Sequence, residues 1–178
     1  MAVAHRPACR SWDATAMKRR GTRYGQGLQM TNVLRDLAHD LRIGRCFLPR
    51  EDLATLDLTP DQLLDPRAIA RLRPLLRELL TATLGHLSEG WSYILAIPRS
   101  ETRIRLACAW PLFIGLRTLH RIWEAGNLLD PVVRVRVSRA AVYAILARSS
   151  VLAWSDHALD RYYRALRGRV LTALTPAC

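Results

Sequence analysis

The sequence has few acidic residues, almost no lysine and no apolar run long enough to cross a membrane. Only Lys18 among its 27 basic residues is a lysine, and 15 acidic residues leave a formal net charge of +12. The best apolar run, residues 106–116, is shorter than the roughly 18 residues that a membrane-spanning helix requires. Half of the 178 residues are hydrophobic, which is enough for one domain with a buried core.

Cysteines are also few and far apart. The sequence contains four, with no Cys-x-x-Cys pair, so it indicates neither a zinc site nor a disulfide framework. We therefore expect reduced thiols in a cytoplasmic protein. Residues 1–20 are basic but lack the apolar centre of a signal peptide. We expect 1–20 to be a poorly ordered basic lead-in and 21–178 to form the helical domain.

The excess of arginine calls for an anionic partner or a structural explanation. Nucleic acid, an anionic membrane surface and a phosphorylated substrate are the candidates. The arginines are spread along apolar helical stretches, which is typical of solvated helix faces with one functional cluster. No recognised nucleic-acid-binding module accompanies them, so we expect no nucleic-acid partner. Peripheral contact with the inner face of a membrane remains open.

The pattern predicts helix nearly throughout, and therefore an all-α fold. Residues 44–65 are expected to form a loop with short helical turns, because Gly44, Pro49 and Pro60 interrupt the pattern. Only residues 132–137 alternate like a strand, and they have no second strand to pair with. We expect Gly168 to end the last helix. The predicted helices are 21–43, 65–95, 100–125, 139–153 and 155–167.

One helical segment carries the candidate chemistry. On a helix that turns about 100° per residue, Met30, Val33, Leu34, Leu37 and Leu41 form an apolar row. A second row is polar and lies within roughly 80° of rotation. Its members are Gln29, Asn32, Asp36 and Asp40.

Two carboxylates at positions i and i+4 repel one another unless a cation lies between them. Mg²⁺ prefers oxygen ligands and is commonly held by one or two carboxylates together with substrate phosphate oxygens. Arg35, Arg42 and Arg45 lie close by and suit a diphosphate. The row therefore favours a Mg²⁺-diphosphate site. An aspartate pair on a solvated helix, offset by local arginines, is the alternative.

A wider string around this row resembles the second aspartate-rich motif of the squalene/phytoene synthase family. The family pattern is Leu-Gln-x-x-Asn-x-x-Arg-Asp-x-x-x-Asp, followed by Gly-Arg, an aromatic residue, Leu and Pro. Two residues depart from it: His39 replaces the usual acidic residue, and Phe47 replaces the common tyrosine. The matching residues are Leu28, Gln29, Asn32, Arg35, Asp36, Asp40, Gly44, Arg45, Phe47, Leu48 and Pro49.

A second region, residues 93–119 and 135–143, is similar to the squalene synthase branch. It contains a Tyr-x-x-x-Ile-Pro turn that begins at Tyr93, an apolar helix and a basic Val-x-Val-Ser-Arg segment. The apolar helix 106–119 is expected either to line a cavity for two prenyl chains or to be an ordinary core helix. The tryptophans Trp91, Trp110, Trp123 and Trp154 are expected to pack in the core.

The resemblance implies an isoprenoid synthase-type helical fold, of which this chain would be the C-terminal half. It also implies head-to-head coupling of two prenyl diphosphates: farnesyl diphosphate to presqualene diphosphate and squalene, or a phytoene-type reaction. Mg²⁺ would be the cofactor, with NADPH in the squalene branch. Asp36, Asp40 and Arg35 would be catalytic. Asn32, Asp36 and Asp40 would bind the metal, and Gln29, Asn32, Arg45 and Tyr93 the substrate.

The family carries a first aspartate-rich motif on a facing helix, and this sequence has no counterpart. Asp156 and Asp160 are spaced correctly but stand at a helix start, where aspartate is favoured for structural reasons. We therefore expect the chain to be incomplete and inactive alone, as a truncated or mis-started gene product or as a partner of a separately encoded N-terminal half. Whether it is itself a transferase stays open. A non-catalytic helical remnant or binding protein is the alternative.

Overall fold

Helices account for 78% of residues 13–175, the part of the chain that the computed structural model describes. No strand occurs among these residues, and 132–137 run as extended chain without a partner strand. The all-α prediction is confirmed. The helices are α1 Ala14–Arg35, α2 Leu37–Arg42, α3 Arg50–Ala54, α4 Ile69–Ala96, α5 Thr102–Glu124, α6 Arg139–Leu152 and α7 Asp156–Leu174.

The first helix differs from its prediction at both ends. It begins at Ala14, so residues 14–20 of the expected lead-in are helical, whereas 1–12 lie outside the described residues. The Asp13 carboxylate explains the early start, because it accepts hydrogen bonds from the backbone N–H groups of Thr15 and Ala16 and so caps the helix. The helix also breaks at Asp36, whose backbone φ of −98° and ψ of 9° are not helical.

Most other boundaries follow the predicted capping residues. Asp65, Ser138 and Ser155 each accept a backbone hydrogen bond at a helix start. Gly126, with φ of +73°, follows the end of α5 and adopts a conformation that other residues rarely take. The predicted stop at Gly168 is wrong, because α7 continues to Leu174.

Helix α5 contacts each of α1, α4, α6 and α7, while α1 packs mainly against α4. A single core of mainly leucine side chains joins these helices. The predicted core role of helix 106–119 is supported at Leu112, Phe113 and Leu116, which are all buried. Pro111 on the same helix is exposed.

Two side-chain hydrogen bonds connect α7 to α4 and to α5. Trp91 stacks on Tyr163 with ring centroids 4.6 Å apart, and its indole N–H donates to Asp160 at 2.8 Å. The buried Arg105 donates to Asp156 at 2.7 Å. Asp156 and Asp160 therefore both have structural partners, as expected from their position at the start of α7.

Among the tryptophans, the core prediction is wrong for Trp154. Trp91 is buried, and Trp110 and Trp123 are half-buried. Trp154, in the turn between α6 and α7, is 84% exposed. None of the helices in 13–175 is long and apolar enough to cross a membrane.

Candidate functional site

The polar row predicted from the sequence lies at the junction of α1 and α2. Helical hydrogen bonds cross the break: the Asp36 N–H donates to the Asn32 carbonyl at 3.0 Å, and the Asp40 N–H to the Asp36 carbonyl at 2.9 Å. Leu34 and Leu37 are buried beneath the junction. Asn32 is exposed, and Asp36 and Asp40 are half-buried. The row therefore keeps its turn-by-turn spacing on the outer side of a buried leucine layer.

Within this row, the two carboxylates have different surroundings. Arg35 donates two parallel hydrogen bonds to Asp36, from Nε to Oδ1 at 2.9 Å and from Nη2 to Oδ2 at 2.6 Å. The hydrogen bonds from Arg35 hold the pKa of Asp36 below its usual value, and they raise the pKa of Arg35. Within 13–175, the side chains of Asn32 and Asp40 have no hydrogen-bond or ion-pair partner. Their oxygen atoms are therefore free to bind a ligand.

A cleft of about 420 Å³ opens on one side of the row, and we call it the basic cleft. Two stretches of chain far apart in sequence form it: the α1–α2 junction and the extended segment that follows α5. Among residues 13–175, Asp36 is the one acidic residue that lines it. Its lining residues are Arg35, Asp36, Ala38, His39, Arg42, Leu128, Pro131, Val133, Arg134, Val135 and Arg136.

Arg42 joins the two parts of this cleft. Its Nη1 donates to the Ala38 carbonyl at 2.6 Å, and its Nη2 donates to the Leu129 carbonyl at 3.1 Å. Leu129 is fully buried immediately before the extended segment. This hydrogen bond therefore holds the segment that carries Arg134 and Arg136 against α2. As a result, arginines from both segments line the basic cleft.

A second concavity of about 550 Å³ lies along α1, and we call it the apolar groove. Phe47, 56% exposed, and His86 contribute from outside α1. At about 100° per residue, Gln29 and Val33 are rotated in one direction about the α1 axis from Asn32, and Arg35 is rotated in the other. The two concavities share no lining residue, and they meet the polar row at different members, the apolar groove at Gln29 and the basic cleft at Asp36. The groove's lining residues are Gln26, Gln29, Met30, Val33, Leu34, Phe47, Leu48, Pro49, Leu79 and His86.

Two predicted substrate-binding residues lie elsewhere. Arg45 is exposed beyond Gly44 and lines neither concavity. Tyr93 is on α4 and packs opposite Gly21, about 3.5 Å from the position that a Cβ there would take. Gly21 and Asp36 are separated along the helix by about 22 Å, at 1.5 Å per residue. The structure therefore does not bring Tyr93 to the polar row.

Three residues of the cleft were missed in the sequence as members of a site. His39 was noted as a departure from the family pattern, although it lines the basic cleft. Arg134 and Arg136 lie roughly 100 residues beyond the motif, so spacing on one helix could not find them. The available signal was the basic segment that resembles the squalene synthase branch.

The donor set suits a magnesium ion that is shared with a substrate. Two carboxylates and one amide oxygen are hard ligands, and Mg²⁺ commonly takes one or two carboxylates plus phosphate oxygens. No group of three or more His, Cys, Asp or Glu side chains arranged for a metal occurs in 13–175. The residues therefore fit a metal that diphosphate helps to bind, but not a closed metal site made by protein alone.

A family model described as squalene/phytoene synthase matches residues 2–141 of the sequence. The chain belongs to the squalene/phytoene synthase family. The match includes the polar row, the basic cleft and the apolar groove. Members of this family act on prenyl diphosphates and use a divalent metal for ionisation of the diphosphate.

Similar curated proteins include both branches of the squalene/phytoene synthase family. Presqualene diphosphate synthase of Zymomonas mobilis is 43% identical over 65 residues, 35% of this chain and 21% of that protein. Squalene synthase of Bos taurus is 29% identical over 121 residues, 68% of this chain and 28% of that protein. Phytoene synthase of Daucus carota is 25% identical over 102 residues, 57% of this chain and 24% of that protein.

The matched segments therefore span less than a third of each of these relatives. No solved structure matches the chain. The assignment to the squalene/phytoene synthase family thus rests on the family match and the curated relatives, and the helical architecture agrees with it.

Proposed function

We propose that this chain provides a diphosphate-binding part of a head-to-head prenyl-diphosphate coupling enzyme. The observation that carries the proposal is the basic cleft, where arginines from two distant segments meet beside the Asp36 end of the motif. The apolar groove borders the same polar row at Gln29. This pairing suits an amphiphile that has a strongly anionic head and a hydrocarbon tail.

The basic cleft would hold the diphosphate. Arg35, Arg42, Arg134 and Arg136 line it, and guanidinium groups bind phosphate oxygens through two parallel hydrogen bonds. When the allylic C–O bond of the substrate breaks, its electron pair leaves with the diphosphate. Fixed cations at the leaving group stabilise the charge that develops there. The cleft would therefore favour ionisation.

Asn32, Asp36 and Asp40 would hold Mg²⁺ together with diphosphate oxygens. The bound ion would supply neutralisation of the leaving-group charge. Asp36 already has a cationic partner in Arg35, so Asp40 is the carboxylate most available to the metal. With Mg²⁺ bound beside Asp36, the positive charge of the ion would balance the Asp36 carboxylate. Arg35 would then be able to contact a phosphate oxygen.

The apolar groove would hold part of a prenyl chain. Met30, Val33, Leu48 and Leu79 supply aliphatic contacts, and Phe47 forms an exposed edge. Apolar walls exclude water, and this protects an allylic cation from hydrolysis. The relatives include presqualene diphosphate, squalene and phytoene synthases. The proposed coupling is therefore farnesyl diphosphate to presqualene diphosphate and squalene, with NADPH for the reductive step, or a phytoene-type reaction.

A second set of carboxylates would come from outside the described residues. Within 13–175, Asp36 is the one carboxylate that lines either concavity; Asp40, one helical turn further on, lines neither. The resemblance to the family implies a first aspartate-rich motif on a facing helix. We therefore propose that this chain works with another polypeptide segment, such as a separately encoded N-terminal half, and does not turn over alone.

Calorimetric titration with farnesyl thiodiphosphate tests the binding part of the proposal. We expect saturable binding in Mg²⁺ that is lost in EDTA. Arg136→Gln should weaken it about ten-fold, the effect of one charge-assisted hydrogen-bonding group, and Asp40→Asn should remove the Mg²⁺ dependence. Arg103→Gln and Asp61→Asn, at exposed positions outside both concavities, are the matched controls. Equal effects of site and control variants would refute the assignment.

A turnover assay tests the need for a second segment. The chain is incubated with farnesyl or geranylgeranyl diphosphate and Mg²⁺, with and without NADPH, and products are identified by mass spectrometry. We expect product only when a polypeptide with the first motif is added. Product from the chain alone at ordinary enzyme rates would contradict the proposal. Binding without turnover in every mixture would favour the non-catalytic binding protein.

A further inference from the structure

Helices α5, α6 and α7 line an open cavity of about 390 Å³, which shares no lining residue with the basic cleft or the apolar groove. We call it the arginine cavity. Four arginines line it together with alanine, isoleucine and leucine side chains. The residues that line it are Arg117, Ala141, Ala144, Ile145, Arg148, Leu152, Ala158, Arg161, Tyr162, Ala165, Leu166 and Arg169.

The charge of this cavity is not balanced by the residues around it. No carboxylate lines it, and Arg117, Arg148, Arg161 and Arg169 form no ion pair with any residue in 13–175. Arg148 stands over the ring of Tyr162, with its guanidinium carbon 4.9 Å from the ring centroid. Four cations around one small space repel one another. An anion seated there would remove the repulsion.

The same helix that walls the cavity also exposes an apolar stripe. Tyr143 is 68% exposed and Val151 is 74% exposed, and Ala147 lies between them on the same face of α6 at about 100° per residue. Trp154 follows directly after the helix and is 84% exposed. We call these four residues the α6 stripe. Tyr143, Val151 and Trp154 are its large members, and contiguous exposed apolar surface marks sites of interaction with proteins or membranes.

The stripe and the cavity lie side by side. On α6, Arg148 and Ala144 of the cavity are within roughly 60° of Val151 by helical rotation. Tyrosine and tryptophan are the residues enriched where hydrocarbon meets water in membranes, and arginine binds anionic phosphate headgroups. We propose that α6 lies on an anionic phospholipid surface, with the α6 stripe in the headgroup boundary and a lipid phosphate in the arginine cavity.

Two other occupants of this surface fit less well. A second copy of the chain carries a formal net charge of +12 and would bring like charges together. The sequence of residues 1–12 contains arginine at positions 6 and 10 but no acidic residue, so it cannot neutralise the cavity. A membrane provides both the anion and the apolar phase. The proposal does not depend on diphosphate binding at the basic cleft.

Co-sedimentation of the full chain with lipid vesicles tests the charge requirement. We expect binding to phosphatidylglycerol vesicles and little to phosphatidylcholine vesicles. Arg161→Gln with Arg169→Gln should weaken binding about 25-fold, at about five-fold per arginine near an anionic surface. Arg23→Gln with Arg50→Gln removes the same charge from exposed sites outside the cavity and should weaken it much less. Equal losses would show non-specific attraction and overturn the proposal.

Two exposed valines, one in the α6 stripe and one outside it, test whether vesicle binding requires apolar side chains. Val151→Ser should weaken vesicle binding several-fold, whereas Val132→Ser, at an 83% exposed site outside the stripe, should not. Lipids brominated near the headgroup should quench tryptophan fluorescence of the unmodified chain but much less that of Trp154→Phe. Quenching that is the same in both would place Trp154 outside the bilayer and overturn the proposal.

Two further experiments distinguish a membrane from other ligands of this surface. Inorganic phosphate and pyrophosphate at the concentration of accessible lipid headgroups should not displace the chain from vesicles, because they cannot bind the α6 stripe. Full displacement would assign the cavity to a free anion instead. Sedimentation of the chain without lipid should show a monomer. A dimer that Val151→Ser dissociates would assign the stripe to a second copy, and both results contradict the proposal.

Discussion

Replacing Gly90 by alanine should loosen the helix pair that carries the candidate site. Gly90 on α4 meets the ring of Tyr24 on α1, and an alanine Cβ would lie 2.4 Å from Cδ2 and 2.6 Å from Cγ of that ring. Tyr24 has little room to move. Its ring is buried and its hydroxyl donates to the Cys108 carbonyl on α5 at 2.6 Å.

The expected size follows from three contributions. Overpacking a close contact costs about 1–3 kcal/mol, and weakening the tyrosine hydrogen bond costs a further 0.5–1.5 kcal/mol, roughly. Alanine is favoured over glycine within a helix by about 0.5–1 kcal/mol. We therefore expect Gly90→Ala to lower the free energy of unfolding by about 1–3 kcal/mol.

Gly85→Ala on the same helix is the matched control. Nothing lies within 4 Å of its Cβ position, so only the helix preference remains and the variant should be more stable by about 0.5–1 kcal/mol. Thermal unfolding followed by circular dichroism measures both. The midpoint should shift by about 2–4 °C per kcal/mol, in opposite directions. Shifts of the same sign and size would refute the close packing of α1 on α4.

Three further predictions concern the hydrogen bonds of Asp156 and Arg42. Asp156→Asn should destabilise the fold by about 1–3 kcal/mol, because the buried Arg105 loses its carboxylate partner; chemical denaturation measures this. Burial raises the pKa of Asp156, but hydrogen bonds from Arg105 and a neighbouring arginine outweigh it, so the net pKa is lowered. The stability difference between the unmodified chain and Asp156→Asn should therefore be full above about pH 4 and fade as the pH falls through the lowered folded value; a constant difference would contradict this. Arg42→Met should weaken pyrophosphate binding in calorimetry, because it removes a guanidinium group from the basic cleft together with its hydrogen bond to the Leu129 carbonyl, with little change in thermal midpoint; unchanged affinity would show that Arg42 neither binds the anion nor shapes the cleft.

Local sequence signals predicted most of the fold. Asp65, Ser138 and Ser155 marked three helix starts, because a side-chain oxygen there accepts a backbone hydrogen bond. Gly168 misled the prediction. Glycine can end a helix but does not have to, and packing of Val170 and Leu174 into the core continues α7 beyond it.

The candidate site was predictable only in its local part. The helical spacing of Asn32, Asp36 and Asp40 placed them in one row, and the structure agrees with that spacing, because Asn32 is exposed and both aspartates are half-buried. The break at Asp36 and its pairing with Arg35 depend on side-chain geometry that periodicity does not contain.

The rest of the basic cleft depends on tertiary structure. Arg134 and Arg136 reach it because α5 returns the chain to the end of α2. Contacts between segments so far apart in sequence leave no local pattern. The exposure of Trp154 is a similar case, since the sequence around it does not show whether the turn between α6 and α7 will be covered by another part of the chain.

Electron paramagnetic resonance of Mn²⁺, used in place of Mg²⁺, tests the central claim most directly. The account predicts weak binding of Mn²⁺ to the chain alone and much tighter binding when pyrophosphate is added, because the metal would be shared between Asn32, Asp36, Asp40 and the phosphate oxygens. Asp40→Asn should abolish the gain and Asp61→Asn should preserve it. A ternary complex that forms equally well in Asp40→Asn, or none in the unmodified chain, would contradict the claim.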